Sequence, residues 1–107
     1  MTNIAGLTGQ DFNGMIATGV TVVEFWATWC GPCKMQLPIL EEVSTTAPAG
    51  VKFAKVNVEE EPELTSSFSI QSIPTMVIFK DGVKVNTLLG LTSKATLTEA
   101  ISKALRV

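Results

Sequence analysis

From Val20 to Ala27 the chain runs almost without a polar side chain: only Thr21 and Glu24 interrupt a series of Val, Phe, Trp and Ala. A short run rich in β-branched and aromatic residues reads as a strand, and one with almost no polar side must be covered on both faces. That places it at the centre of a mixed or parallel sheet, with helices above and below. Directly after it come Trp29-Cys30-Gly31-Pro32-Cys33-Lys34, which hold both of the chain's cysteines, and then a helical pattern from Met35 to Val43. A C-x-x-C pair where a buried strand gives way to a helix is a dithiol signature rather than a staple.

The remaining segments supply the neighbours that such a strand needs. Asn3 to Gly6 is a short first strand. Thr8 reads as a helix N-cap with Asp11 as a capping-box-like partner, Phe12, Met15 and Ile16 give the helical spacing, and Gly19 ends it. The helix after the cysteines reaches about Thr46, with Met35, Leu37, Ile39, Leu40 and Val43 as its apolar stripe. Pro38 removes a backbone donor inside it and is expected to kink the helix rather than stop it. Val51 to Val58 alternates and forms a second core strand. The acidic run Glu59 to Glu63 reads as the solvated start of a short helix, with Pro62 in its first turn and its end near Phe68. After a loop, Thr75 to Phe79 is a strong strand, Asp81-Gly82 a hairpin turn, and Val83 to Leu89 an antiparallel return. Gly90 breaks that strand, and Ser93 caps a last helix whose apolar face is Leu97, Ala100, Ile101, Ala104 and Leu105. The order β-α-β-α-β-α-β-β-α predicts an α/β fold in one domain, 1–107, with a central mixed sheet of about five strands flanked by about four helices.

Composition excludes several functions. The 107 residues suffice for one real core. A net charge of −2 with scattered Lys and Arg gives no nucleic-acid surface. No apolar run approaches the ~20 residues of a membrane span. Met1 to Gln10 has neither a cationic start nor an apolar core, so a cytosolic chain, or a mature form with its leader removed, is expected. Two cysteines are too few to build a fold from disulfides. The absence of His removes Cys-His dyads and most zinc sites; zinc would need two carboxylates beside Cys30 and Cys33.

Phe25-Trp26-Ala27-Thr28-Trp29-Cys30-Gly31-Pro32-Cys33-Lys34, then Pro38, Lys55-Val56-Asn57-Val58, Ile73-Pro74-Thr75, Phe79-Lys80-Asp81-Gly82 and Gly90 follow in this order and spacing. In these the chain resembles the thioredoxin family over its whole length. The resemblance implies the thioredoxin fold and dithiol-disulfide exchange on disulfide-containing proteins. It also implies a cytoplasmic monomer with no bound cofactor, recharged by a thioredoxin reductase to which NADPH and FAD belong. It implies further that Pro74 is cis and packs against the dithiol, so that the backbone at Ile73 can pair with an extended substrate segment. Sequence alone would give cis to only about 5% of such bonds, and Pro38 and Pro62 keep the trans reading. One position departs from the family. Where thioredoxins usually carry a buried Asp on the central strand, this chain has Glu24, whose carboxylate reaches one methylene further.

The residue types suit that chemistry. Exchange needs a thiolate that attacks and a second thiol that resolves the mixed disulfide. Cys30 stands just before a helix, where free N–H groups and the dipole favour negative charge. Lowering a thiol pKa by one unit takes ~1.4 kcal/mol, and a helix N-terminus supplies ~0.3–1 kcal/mol, at best ~2. Hydrogen bonds from Cys33 and the loop must therefore supply anything beyond about one unit. Cys33, one turn into the helix, is expected to be the less exposed and to close the ring on Cys30. Gly31 allows close approach and Pro32 pre-sets the helix start. Glu24, if buried, should have a raised pKa and could take the proton of Cys33; the bland alternative is a carboxylate escaping to solvent. Lys55 either pairs with Glu24 or is a solvated strand lysine. Trp29 is expected to flank Cys30 on the surface, Trp26 to pack beneath the site, and Gly90 to leave room for a substrate chain. Two rival readings remain: a binding platform around Trp29, Ile73 and Gly90 with incidental thiols, and an exported oxidant of folding proteins, against which the Gly31-Pro32 dipeptide counts.

Overall fold

The computed structural model describes residues 4–107, so Asn3, the expected start of the first strand, lies outside the described residues. The elements are β1 (Ala5–Gly6), α1 (Phe12–Ile16), β2 (Val20–Trp26), α2 (Gly31–Thr46), β3 (Lys52–Asn57), α3 (Pro62–Ser67), β4 (Thr75–Lys80), β5 (Val83–Leu89) and α4 (Lys94–Leu105). Their order is the one read from the sequence. The five strands form one sheet in the order β1-β3-β2-β4-β5, with β2 at its centre. β1, β3 and β2 are parallel, whereas β4 runs antiparallel to β2 and β5 antiparallel to β4. The tight turn between β4 and β5 has Asp81 at φ 51° and Gly82 at φ 86°, the left-handed pair a two-residue hairpin requires.

Side-chain alternation along β2 splits the core into two layers. Val20 and Val22 point to one face, with Phe53, Met76 and Ile78, and are covered by Leu40 and Val43 of α2 and by Leu97, Ala100, Ile101 and Ala104 of α4. Val23 and Phe25 point to the other, with Val56, Val77 and Phe79, beneath Phe12 and Ile16 of α1 and Phe68 after α3. Phe12, Phe68 and Phe79 pack ring against ring there, with centroids 5.4 to 5.6 Å apart. Both faces of β2 are thus sealed, as its composition demands.

Three local expectations are corrected. Asp11 does reach back to Thr8, accepting from Thr8 N at 2.6 Å, but α1 begins only at Phe12 and Asp11 takes the N-cap position without a side-chain cap bond. The buried face of α2 is Cys33, Gln36, Leu40 and Val43. Met35, assigned to the apolar stripe, is 60% exposed, and Gln36 takes the inward position instead. Spacings of three and four from Cys33 put Gln36 and Leu40 on one line, whereas Met35 points some 200° away from Cys33 around the axis. Leu105, placed on the apolar face of α4, is 40% exposed. Pro38 lies inside α2, which continues unbroken past it. Among the described residues, no helix is long and apolar enough to cross a membrane.

Candidate functional site: a disulfide at the mouth of a helix

The register of the sheet brings four connections to one end. β2 and β3 finish there, since Trp26 pairs with Asn57, and β4 begins there, since Phe25 pairs with Thr75. β5 ends there as well, with Leu89 opposite Thr75. The segments around Trp29 to Cys33, Asn57 to Glu61, Ile73-Pro74 and Gly90 to Thr92 are therefore neighbours despite their distance in sequence.

Cys30 and Cys33 are joined in a disulfide with Cα atoms 5.3 Å apart. Cys30 is the N-cap of α2, and its Sγ accepts a hydrogen bond from Cys33 N at 3.2 Å. The free N–H groups of the first turn thus point at the sulfur that would carry charge after reduction. Pro32 occupies the first turn, where its missing N–H costs nothing. The expected contrast in burial is small: Cys30 is 4% exposed and Cys33 2%. Both pack in a cluster with Ala27, Trp26, Val58 and Ile73. Gly31 has open space where a side chain would stand, so no part of the chain itself crowds that approach.

The Ile73-Pro74 peptide is cis, as the resemblance implies. Trp29 is 66% exposed beside the dithiol, and its Nε1 donates to Glu59 Oε2 at 3.0 Å. With Val58, Ile70 and Ile73 it lines an open groove of about 180 Å³. Gly90 adopts φ 76° and donates its N–H to Pro74 O at 2.9 Å, which ties the end of β5 to the proline.

Glu24 is buried at 1% exposure, so the reading in which it escapes to solvent is wrong. It shares the strand face of Val20 and Val22, the face that α2 and α4 cover, with Lys55 and Met76 as register partners. Neither carboxylate oxygen has a hydrogen-bond partner. Burial pushes its pKa from 4.5 up to about 7, and the positive charge of Lys55 opposes that rise. Lys55 also lies over the ring of Trp26, 5.3 Å from its centroid. Trp26 is largely buried, and its Nε1 has no partner.

Two features escaped sequence reasoning. The acidic run is not merely solvated: Glu59 holds Trp29, and Glu61 Oε1 accepts from Gly9 N at 2.9 Å. Gln36, an amide at an inward helical position, bonds the backbone of Thr92. Helical phase from Cys33 would have located Gln36; nothing in the sequence pairs Glu59 with Trp29. No group of three or more His, Cys, Asp or Glu able to hold a metal occurs among the described residues.

The family model that matches the chain is Thioredoxin, over residues 3–103. A thioredoxin from Staphylococcus aureus (strain Mu50 / ATCC 700699) is 40% identical over 102 residues, covering 95% of this chain and 98% of its own. One from Staphylococcus saprophyticus is 42% identical with the same coverage. Among solved structures, the thioredoxin Mala s 13 of Malassezia sympodialis superposes with a TM-score of 0.84 at 36% identity, covering 98% of this chain and 93% of that one.

Proposed function

The chain belongs to the thioredoxin family, and from that premise we propose how its own residues divide the work of the reaction. The protein is a disulfide oxidoreductase that acts by dithiol-disulfide exchange through Cys30 and Cys33. In the reduced form the Cys30 thiolate attacks one sulfur of a substrate disulfide, whose S–S bond breaks and whose other sulfur leaves as a thiolate. Cys33 then attacks Cys30 Sγ in the mixed disulfide, and the second substrate sulfur leaves. The Cys30–Cys33 bond is the product, and two electrons have passed to the substrate.

Each step has a group suited to it. The first-turn N–H groups of α2 stabilise the Cys30 thiolate. Glu24 accepts the proton of Cys33 as that thiol attacks, directly or through water; a carboxyl with a pKa of about 7 is present in both forms at neutral pH, which suits a base. Lys55 and Trp26 tune that carboxyl from the side. Trp29 and Ile73 form the apolar wall against which a polypeptide docks, and the backbone around Pro74 and Gly90 receives its extended segment. A thioredoxin reductase returns the electrons, so NADPH and FAD belong to that partner and the chain itself binds no cofactor. The protein acts as a single-domain monomer in the cytoplasm.

The observation that carries this reading is a disulfide whose first sulfur caps a 16-residue helix at the end of a strand buried on both faces. The test is insulin reduction driven by dithiothreitol or by a thioredoxin reductase with NADPH. Wild type should precipitate the insulin B chain, and Cys30→Ser should add nothing to the uncatalysed rate. Equal rates for the two proteins would overturn the reading.

A further inference from the structure

Gln36 is fully buried in α2, three residues beyond Cys33 on the same face. Its side chain makes two hydrogen bonds to the backbone of a single residue. Nε2 donates to Thr92 O at 3.0 Å, and Oε1 accepts from Thr92 N at 2.7 Å. Thr92 is itself buried, and its hydroxyl donates to Gly90 O at 3.1 Å. Gly90 N in turn donates to Pro74 O at 2.9 Å. A continuous hydrogen-bonded path therefore runs from the helix that bears the dithiol, through the loop after β5, to the cis proline.

An apolar residue would fill this core position without the cost of desolvating an amide. What the amide adds is direction: two bonds to both polar groups of one peptide fix the loop in distance and in orientation. Leu89, the last residue of β5, and Leu91 in the loop are exposed, flank Gly90 and present apolar surface. We propose that Gln36 is a positioning residue for polypeptide substrates, holding the Gly90–Thr92 wall at a fixed distance from Cys30 and Cys33. This rests on the reading above in which Ile73, Pro74 and Gly90 receive the substrate backbone. A polypeptide disulfide touches both the wall and the sulfur, so its register depends on Gln36. A small disulfide touches the sulfur alone and depends on it far less.

The experiment compares kcat/KM for insulin with kcat/KM for 5,5′-dithiobis(2-nitrobenzoate) in the full-length protein. Variants are Gln36→Met, which keeps the volume and loses both bonds, and Thr92→Val, which removes only the hydroxyl tie to Gly90. Ile73→Ala reads the groove directly. The ratio of insulin to small-disulfide kcat/KM should fall about tenfold in Gln36→Met, chiefly through KM, as one displaced set of substrate hydrogen bonds would give. It should fall about twofold to threefold in Thr92→Val. A residue that only braces the core would lower both activities together and leave the ratio where it was, and that result in Gln36→Met overturns the proposal. Thr92→Val keeps both bonds from Gln36, which go to the Thr92 backbone, so should Gln36→Met fail to fold, Gln36→Leu, which also loses both bonds, decides in its place, and an unchanged ratio there overturns the proposal equally. If Ile73→Ala shifts the ratio while Gln36→Met does not, only the role of Gln36 falls. If neither shifts it, the docking reading itself has failed.

Discussion

Glu24 is a carboxylate on the central strand with no hydrogen-bond partner and almost no contact with water. In the unfolded chain it has the ordinary pKa near 4.5, and in the folded protein about 7. The folded state therefore holds the proton more tightly. The contribution to stability is fully present below about pH 4.5, declines as pH rises, and is lost once pH passes about 7, where the native state must bury a charge. Integrated from pH 5 to pH 8, this amounts to roughly 2 kcal/mol. Urea unfolding of the oxidised protein should accordingly show wild type weaker at pH 8 than at pH 5 by about that amount. Glu24→Gln should largely remove the difference, and a variant that keeps the full pH dependence would show that other groups cause it. The sequence marked Glu24 as the one charge in an apolar strand, but not its burial, because a glutamate near the end of a strand can also turn to solvent. What closes that route is the cover that α2 and α4 lay over this face of β2, whose placement depends on the entire sheet.

At the level of elements, local pattern and tertiary contact agree almost throughout. The Asp81-Gly82 turn, the Ser93 cap and the break at Gly90 were legible because each depends on the conformational needs of one or two residues; Ser93 Oγ does accept from Thr96 N, at 3.2 Å. α2 is where the pattern misled. Counting apolar residues gave Met35 a core place, while the helix buries the line Cys33, Gln36, Leu40 and Val43. An apolar count cannot register an amide that is satisfied inside, because the hydrogen bonds that make its burial tolerable come from Thr92, 56 residues away. Two substitutions that a simple stripe treats alike should therefore separate. Met35→Ser should change stability by no more than about 0.5 kcal/mol, as for an exposed site. Leu40→Ala should cost about 2–5 kcal/mol, since Leu40 is fully buried against the sheet. Urea titrations at one pH measure both, and equal losses would mean that Met35 packs into the core after all.

Across the whole molecule, the sheet separates chemistry from scaffolding by its two ends. The C-terminal ends of β2, β3 and β5 and the N-terminal end of β4 carry every segment assigned to the site, while the connection from α2 to β3 and the β4–β5 hairpin lie at the other end. That shared end could not be read from composition or periodicity. It follows from the strand order, which puts β3 and β4 on either side of β2, and only the resemblance to a known family anticipated it. The division predicts how the protein tolerates added chain. Residues 47–51 connect α2 to β3, are exposed at Pro48, Ala49 and Gly50, and lead into the end of β3 that lies beside Thr21, away from the site end at Trp26 and Asn57. Two residues, Gly-Ser, inserted after Ala49 lengthen that connection by less than half and should cost only about 0.3 kcal/mol in loop closure. Insulin reduction should then stay within about twofold of wild type, because nothing at the far end of the sheet needs to move. The same two residues inserted between Leu91 and Thr92 leave the Gln36 bonds on one side of the insertion and the Gly90 bond to Pro74 on the other. Turnover of insulin should then fall at least about tenfold, the cost of misplacing a substrate-holding group by a fraction of its own length. Equal tolerance of the two insertions would mean that the loop after β5 takes no part in holding the substrate.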